Sequence, residues 1–382
     1  MQYTKLKNIN KYVSENINPM KLPNTIFEMY SVPIYETGHP EYLRGNEIGS
    51  NKVIVKKNDI LLCKINPRIN RVWVVADESE YQSIASSEWI VVRSNTYNPE
   101  FLAWYFRCPI FKKLMTSEVT GIGGSLTRAQ PKAVAEYPVP VLSANEQDDI
   151  VNILNKANSV INARKQELQK LDELIKARFV EMFGTINENK YGYEIKTLQE
   201  VCEQIKDGTH QTPEYTEDKE NGFKFLSSKD VTSGKIEWSN IKYIPESLHN
   251  ELYSRIAPKK GDLLLAKNGT TGVAAVVDCD EVFDIYVSLA LLRPINIDSI
   301  YLWAAVNSAE TKHQFDGSLK GIGVPNLHLG EIKKTKILVP PIEKQRAFGM
   351  FLEQVDKSKA AVQKSLEEMQ LLFDSLMQQY FG

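Results

Sequence analysis

The chain has 382 residues, of which 42% are hydrophobic and 25% are charged, and its formal net charge is −2. This length and apolar content can bury two ordinary cores, which excludes a disordered protein and predicts two domains plus helices. The N-terminus has no apolar core segment and no apolar run of about 18 residues occurs, so we expect neither export nor membrane insertion. Cys63, Cys108, Cys202 and Cys279 show no CxxC spacing, which predicts buried, reduced thiols in a cytoplasmic protein.

The near-zero net charge hides a difference between the two halves. Residues 1–140 contain 17 lysines and arginines against 13 acidic residues, whereas residues 185–340 contain 18 against 22. A global sum neither supports nor excludes nucleic-acid binding, because a basic face can lie among acidic ones. If the second half binds DNA, a few placed side chains must therefore do so.

The pattern of residues 1–142 predicts short strands separated by turns, hence a mixed domain and not a series of βαβ units. The clearest element is a hairpin. Residues 59–64 form a largely apolar run, residues 65–70 form a polar turn, and residues 71–75 return as a second apolar run.

Residues 143–184 are predicted to form a first long helix, free of internal proline and glycine. Apolar residues recur there with 4-3-4-3 spacing, and a 3.5-residue period kept for about 35 residues is typical of a coiled-coil seam. The alternative is an ordinary amphipathic helix lying on its own domain. The predicted seam residues are Ile150, Leu154, Ile161, Leu168, Leu171 and Ile175.

Residues 185–342 predict a second mixed domain. A polar loop, Asp-Gly-Thr-His-Gln-Thr-Pro, occupies residues 207–213, and a second hairpin joins residues 262–267 to residues 273–277 through Asn268-Gly269. Asn-Gly between apolar runs is a strong hairpin signal because both positions tolerate positive φ. The two hairpins share a scaffold but differ at the tip, which indicates that the tips recognise something.

Residues 343–382 predict a second long helix. Because a whole domain separates it from the first helix, we expect the two helices to pair antiparallel. Its predicted seam residues are Leu352, Val355, Val362, Leu366, Met369, Phe373 and Leu376.

The chain repeats itself at a distance of about 200 residues. Gly-Ile-Gly occurs at residues 121–123 and again at 321–323, Val-Pro at 139–140 and 339–340, and Gln147 is matched by Gln345. We therefore predict an α+β protein with an internal pseudo-twofold repeat: two similar mixed domains, separated by two long helices that form an antiparallel coiled coil.

In this order, the duplicated hairpins, Gly-Ile-Gly loops and Val-Pro entries into long helices resemble the specificity subunit of type I restriction-modification systems. The loop at residues 207–213 is also similar to a segment near the start of that family's target-recognition domains. The resemblance covers essentially the whole chain. The loop has no counterpart in the first half, which puts the two domains in different recognition classes.

The resemblance implies a noncatalytic subunit that binds double-stranded DNA. Each target-recognition domain would read one half of a bipartite, asymmetric site, and the paired helices would fix the unread spacer and dock two methyltransferase subunits. Two restriction subunits could join the complex. S-adenosylmethionine, ATP and magnesium would serve these partners, and this chain itself would hold no cofactor or metal and no catalytic residue.

Within this resemblance, the hairpin tips and nearby polar residues are the predicted DNA contacts, because Lys and Arg donate to guanine or phosphate and Asn pairs with adenine. Each could equally be a solvated loop residue. In the first domain they are Lys64, Asn66, Arg68, Asn70 and Arg71, with Arg128 as a phosphate contact. In the second they are Lys267, Asn268, Thr270 and Thr271, with His210, Ser228, Lys229 and Lys320.

Enzymatic alternatives find no support in the motifs. An adenine methyltransferase needs an Asn-Pro-Pro-Tyr type segment, and residues 66–68 read Asn-Pro-Arg; residues 269–272 lack the continuation of a phosphate-binding loop. The five histidines lack the spacing of a zinc site. Two other classes stay open: a specificity subunit for a fused methyltransferase-nuclease, and a coiled-coil adaptor that binds protein.

Overall fold

A computed structural model describes residues 2–76, 79–117, 119–120, 127–318 and 325–382. The chain forms two compact units: Met1–Lys165 with Gln363–Gly382, called unit 1, and Gln166–Val362, called unit 2. Each unit thus contains one predicted mixed domain and one part of each long helix.

Unit 1 begins with short strands and contains the start of the first long helix, which continues into unit 2. Its elements are β1 Tyr3–Lys5, α1 Leu6–Ile9, β2 Asn16–Ile17, β3 Ile26–Tyr30, β4 Glu41–Arg44, β5 Lys52–Ile54, β6 Ile60–Cys63, β7 Val72–Val74, β8 Gln82–Ser86, β9 Trp89–Val92, α2 Pro99–Arg107, α3 Pro109–Ser117, β10 Val119–Thr120, β11 Arg128–Ala129, α4 Pro131–Val134, β12 Pro138–Pro140 and α5 Ala144–Phe183.

The strands of unit 1 form a mixed five-stranded sheet, β2-β5-β8-β3-β4, and an antiparallel three-stranded sheet, β7-β6-β9. Two strand pairs, β1-β12 and β10-β11, complete the unit. The predicted hairpin is present, since Ile60 pairs with Val74 and Leu62 with Val72. The apolar sequence of β6 follows from its central place in the sheet, where all four of its residues are buried.

Unit 2 repeats much of this order. Its elements are β13 Glu194–Thr197, α6 Leu198–Val201, β14 Cys202–Asp207, β15 Phe223–Leu226, β16 Lys242–Ile244, α7 Glu246–Arg255, β17 Leu263–Ala266, β18 Ala274–Val276, β19 Phe283–Ile285, β20 Leu289–Pro294, α8 Ser299–Val306, α9 Ala309–Ser318, α10 Leu329–Lys334, β21 Lys336–Val339 and α11 Ile342–Phe381.

The central sheet of unit 2 is antiparallel in the order β14-β20-β17-β18, beside a three-stranded sheet β16-β15-β19 and the pair β13-β21. The second predicted hairpin is also present, with Leu263 paired to Val276 and Leu265 to Ala274. Its connection differs from the predicted two-residue turn. Gly269 and Gly272 have positive φ, whereas Asn268 does not, and the Gly272 N–H bonds the Ala266 carbonyl at 2.8 Å. Asn268 also forms an isolated antiparallel β-bridge with Asn326.

The long helices α5 and α11 each contain 40 residues. In unit 2 they run antiparallel: the Phe183 and Phe348 rings lie 5.7 Å apart, and farther along, the Lys359 Nζ lies 2.6 Å from an Asp172 carboxylate oxygen. Residue numbers therefore rise on one helix as they fall on the other. The predicted fold class, mixed α/β domains with two long paired helices, is confirmed.

The predicted seam positions are buried or half-buried along both helices, while most of their immediate neighbours are exposed. The ends of the helices also pack on domain cores. In unit 1, Ile150 and Leu154 join the apolar cluster around α2 with Met377 and Phe381. At these ends the alternative, an amphipathic helix lying on its own domain, is also correct. The same apolar stripe contacts both the other long helix and the domain core. The predicted domain boundaries stay a prediction.

The repeat seen in the sequence reappears as matched hydrogen bonds inside each unit. Asp59 receives two bonds from the Arg93 guanidinium at 2.6 Å, and Asp262 receives two from Arg293 at 2.8 and 2.9 Å. Each pair joins the start of the first hairpin strand to the end of the strand beside it. The shared scaffold thus includes a largely buried ion pair that ties the hairpin to its sheet.

Cys63, Cys108 and Cys202 are buried, and Cys279 is half-exposed, so the prediction of buried thiols is confirmed for three of the four. Burial raises the pKa of Cys63 and Cys108, and raises that of Cys202 to about 12. None of the helices that the structure describes is both long enough and apolar enough to cross a bilayer.

Candidate nucleic-acid interface

The hairpin tip of unit 1 is built around a single 3₁₀ turn, Pro67–Ile69, with Asn66 and Asn70 on either side in the left-handed region at φ 51° and 53°. Asparagine tolerates this conformation better than most residues. Asn66 also accepts a hydrogen bond of 2.9 Å from the Arg68 Nε. Both asparagines therefore shape the loop backbone, a role that the sequence-based nomination as base contacts did not include.

A second segment lies against this tip. The Asn66 N–H bonds the Thr127 carbonyl and the Ala129 N–H bonds the Lys64 carbonyl, both at 2.8 Å. The hairpin tip and β11 consequently form one surface. Arg128 lies beside Lys64 on this surface, and both residues are predicted DNA contacts.

The cationic side chains of this surface differ in exposure and in ion pairing. Arg68 is exposed, and the Lys64 side chain has no hydrogen bond or ion pair within the described part of the chain. Arg128 pairs with Glu88 at 3.3 Å, and Arg71, with 18% of its side chain exposed, lies 3.7 Å from Glu36. Among the predicted cationic contacts of unit 1, Arg68 and Lys64 are thus the two that form no ion pair with a described residue.

Unit 2 uses the same backbone arrangement. The Leu327 N–H bonds the Lys267 carbonyl at 2.8 Å, and the Lys267 N–H bonds the Ser288 carbonyl at 2.9 Å, as Lys64 does with Ala129 and Glu88 in unit 1. Lys267 is therefore the structural equivalent of Lys64.

The surroundings of Lys267 are different. Its side chain is 7% exposed, and its Nζ lies 2.8 Å from the Asp207 Oδ2, which His210 also contacts at 3.2 Å. The DNA contact by Lys267 stays a prediction, and in the folded chain its ammonium is largely covered and paired with Asp207. Lys267 holds Asp207. The equivalent lysines of the two units thus have opposite consequences for the surface.

These residues line a cleft of about 530 Å³ in unit 2. Its lining residues are Asp207, His210, Lys267, Asn268, Val287, Asn326, His328, Leu329 and Gly330. Burial raises the pKa of the Asp207 carboxyl, but the hydrogen bond and charge of Lys267, with those of His210, lower it by more, so that this pKa lies below its ordinary value. The cleft therefore carries an ionised carboxylate at neutral pH.

The loop that supplies Asp207 is tightly held. A Cβ on Gly208 would lie 2.0 Å from the Ile285 carbonyl oxygen, so only glycine fits there. The Thr209 N–H bonds the Ile285 carbonyl at 3.1 Å, and the Val287 N–H bonds the Thr209 carbonyl at 2.9 Å. His210, which follows, is 69% exposed. The Asp-Gly-Thr-His segment thus places two polar side chains at the cleft on a rigid base.

The remaining nominated residues of unit 2 lie in three places. Thr270 is exposed and Thr271 half-exposed in the hairpin loop, and the Thr271 N–H bonds the Gly269 carbonyl. Lys229 is exposed, and the Ser228 N–H bonds the Ser288 Oγ at 3.0 Å. Lys320 and the two Gly-Ile-Gly loops lie outside the described residues.

Sequence reasoning missed Asp207, Asn326 and His328 as members of the cleft. Asp207 is the first residue of the Asp-Gly-Thr-His segment, but the predicted contacts were chosen mainly among cationic and amide side chains, which left out a carboxylate. Asn326 and His328 follow the second Gly-Ile-Gly loop, and their approach to Asn268 depends on chain folding over about 60 residues. Within the described ranges, no group of three or more His, Cys, Asp or Glu residues could hold a metal ion.

Comparisons with known proteins agree with this arrangement. Residues 190–370 match the family model described as the type I restriction modification DNA specificity domain. The chain is 24% identical over 355 residues to the type I restriction enzyme MjaVIII specificity subunit of Methanocaldococcus jannaschii, covering 86% of this chain and 81% of that protein.

Two solved structures share the fold. One, from work on complex assembly and conformational transition of the type I restriction-modification system, has a TM-score of 0.63 at 18% identity and covers 100% of this chain and 97% of its own. The other, the S subunit of a type I restriction-modification system from M. genitalium, has a TM-score of 0.56 at 14% identity, covering 100% and 96%. The domain match assigns a type I restriction modification DNA specificity domain to residues 190–370, and the solved structures show the same fold over the whole chain. Over most of its length the chain is similar to a type I restriction-modification specificity subunit, as the resemblance in the sequence implied.

Proposed function

We propose that this chain is the noncatalytic subunit through which a type I restriction-modification complex reads a bipartite, asymmetric DNA site, one half-site for each mixed domain. The observation that carries the proposal is the pair of equivalent lysines. Lys64 and Lys267 occupy the same backbone position, yet Lys64 is unpaired among the described residues and Lys267 is covered and bound to Asp207.

A scaffold that is repeated with different side chains at its tip suits two different half-sites. In unit 1 the exposed or unpaired groups are donors, Lys64 and Arg68. Donors suit guanine O6 and N7, or phosphate oxygens. In unit 2 the cleft offers a carboxylate, two imidazoles and two amides. The half-sites that these two surfaces would select are therefore different in sequence.

The spacer between the half-sites would be set by the long helices. Each has 40 residues, which at 1.5 Å per residue gives about 60 Å, the length of about 17 base pairs of duplex DNA. Support comes from the apolar seam, which only Arg164, Arg178 and Lys359 interrupt, and from the antiparallel contacts in unit 2 of Phe183 with Phe348 and of Asp172 with Lys359. Helices held in register along a seam resist changes in length, as a ruler must.

The outer faces of these helices support docking of methyltransferase subunits. Large apolar side chains are exposed there, with Leu371 at 72% and Met350 at 63%. Others on the same helices are Ile153, Val160, Leu174, Val180 and Leu372. Exposed apolar groups that recur along a helix favour a protein partner. Two methyltransferase subunits using S-adenosylmethionine, and two restriction subunits using ATP and magnesium, would supply the chemistry in the cytoplasm.

The test is to coexpress the chain with the methyltransferase encoded beside it and to map methylated adenines in the host genome. We expect one bipartite, asymmetric motif with a constant spacer. A duplicated heptad in each helix, residues 166–172 and residues 359–365, keeps the seam in phase and should lengthen the accepted spacer by about three base pairs.

A heptad inserted in α5 alone is the matched control, because it shifts the seam and should abolish methylation without selecting a new spacer. Methylation with no preferred sequence would refute the reading of DNA by this chain. An unchanged spacer in the double-heptad variant would refute the ruler while leaving sequence reading intact.

A further inference from the structure

The two carboxylate oxygens of Asp207 differ in their hydrogen bonds to the described residues. Lys267 and His210 both contact Oδ2, at 2.8 and 3.2 Å. No described residue donates a hydrogen bond to Oδ1. Since Asp207 lines the cleft of unit 2 and its side chain is 16% exposed, this second oxygen is an accessible acceptor without a donor among the described residues.

We propose that Asp207 is the base-reading acceptor of unit 2, whose Oδ1 takes a hydrogen bond from an exocyclic amino group in the major groove, with Lys267 as its positioning residue. This inference rests on the proposed function, and it adds which chemical group of the second half-site is read.

The chemistry of DNA restricts what a carboxylate can bind. Phosphate oxygens are negatively charged acceptors, so Asp207 is repelled by the backbone that attracts Lys and Arg. The major-groove edge offers two hydrogen-bond donors, the amino groups of cytosine N4 and adenine N6. A carboxylate that enters the major groove therefore finds a hydrogen-bond donor on the bases only in one of these two amino groups.

Lys267 allows the Asp207 carboxylate to serve as a base-reading acceptor. Its buried ammonium balances the charge of Asp207 and holds Oδ2, which leaves the direction of Oδ1 fixed. Gly208 and Thr209 hold the backbone from the other side through Ile285. In unit 1 the equivalent Lys64 has no such carboxylate partner among the described residues, so there the same position offers a donor.

The experiment uses the assembled methyltransferase complex and a DNA library randomised at the half-sites, with sequencing of the methylated products. The wild-type complex should require cytosine or adenine at one position of the half-site read by unit 2, and the enriched base tells N4 from N6. Asp207→Asn replaces the carboxylate by an amide that both donates and accepts. It should reduce base discrimination at that single position by roughly tenfold, which corresponds to about 1.4 kcal/mol. Base discrimination at the other half-site should stay unchanged.

Lys267→Met tests the positioning role, because it keeps Asp207 but frees its orientation. It should relax the same position to a smaller extent. Asp207→Glu keeps the charge and moves the oxygens, which also covers the case in which Asp207→Asn folds poorly. Glu281→Gln is the matched control: it removes a carboxylate that pairs with Lys224 in unit 2 outside the cleft and should leave every position unchanged.

Wild-type base preference at every position in both folded Asp207 variants would overturn the inference, and so would a loss spread evenly over both half-sites. A wild-type complex that methylates without any sequence preference would instead refute the proposed function, so the two failures are distinguishable.

Discussion

Gln147 and Gln345 make the same two hydrogen bonds, each inside its own unit. The Gln147 Oε1 accepts the Asn98 N–H at 2.8 Å and its Nε2 donates to the Leu142 carbonyl at 3.0 Å. The Gln345 Oε1 accepts the Asp298 N–H at 2.8 Å and its Nε2 donates to the Pro340 carbonyl at 2.7 Å. Each glutamine thus joins the start of a long helix to the residue that caps a helix of the domain core.

Replacing Gln345 with Ala should lower the free energy of unfolding by about 1–3 kcal/mol, because the glutamine is 1% exposed and its loss leaves a buried N–H and a buried carbonyl unpaired. Urea denaturation followed by circular dichroism measures the change. Gln363→Ala, an exposed glutamine of the same helix that bonds Glu367, is the control and should change stability by less than about 0.5 kcal/mol. Equal effects of both variants would contradict the buried role.

Asp207→Asn should destabilise the chain at pH 7 by about 1–3 kcal/mol, since it weakens the charged hydrogen bond from the covered Lys267. The pKa of Asp207 is lowered in the fold, because burial raises it by less than Lys267 and His210 together lower it. Its stabilisation is therefore full above the unfolded value of about 3.9 and is lost as the pH falls through the folded value. Urea midpoints of both proteins should converge on acidification. A gap that widens toward low pH would reverse this sign.

Placing glutamate at both Leu168 and Leu366 should break the helix seam. Both leucines are half-buried at predicted seam positions, and each loses apolar burial of about 1–2 kcal/mol while introducing like charges. We expect loss of methyltransferase binding in gel filtration and loss of spacing discrimination in methylation. Gln169→Glu with Gln363→Glu, exposed positions on the same helices, should retain both properties. Intact discrimination in the seam variant would refute the ruler.

Arg68→Ala should weaken binding of the assembled complex to its own DNA site by about 1–3 kcal/mol and relax one position of one half-site. Arg68 is exposed at the hairpin tip and is held by Asn66. Fluorescence anisotropy with the cognate duplex and a scrambled duplex measures the two affinities. An equal loss on both duplexes would show instead that Arg68 contacts phosphate.

One thiol of the folded chain should react quickly with a disulfide reagent, because Cys279 is half-exposed while the other three cysteines are buried with raised pKa values. The thiolate is the reactive form. Titration should give one fast equivalent, and four after unfolding. Cys279→Ser should abolish the fast phase; its persistence would place an accessible thiol elsewhere.

The sequence alone was enough for the features that depend on local periodicity. A 3.5-residue period on residues 150–182 and 348–380 requires a helix with one apolar stripe, and the structure buries that stripe. Apolar runs on either side of a polar turn likewise predicted both hairpins. In each case the burial pattern is carried by residues close together in the chain.

Tertiary structure decided what the tips present. Lys64 and Lys267 look alike in sequence, but Asp207 lies 60 residues from Lys267 and reaches it only because β14 and β17 flank β20 in one sheet. Asn66 and Asn70 remain predicted base contacts, and the structure adds a backbone role for both, since their φ angles are positive. Charge and hydrogen bonding at a site depend on partners brought together by folding, and no local pattern encodes which partner arrives.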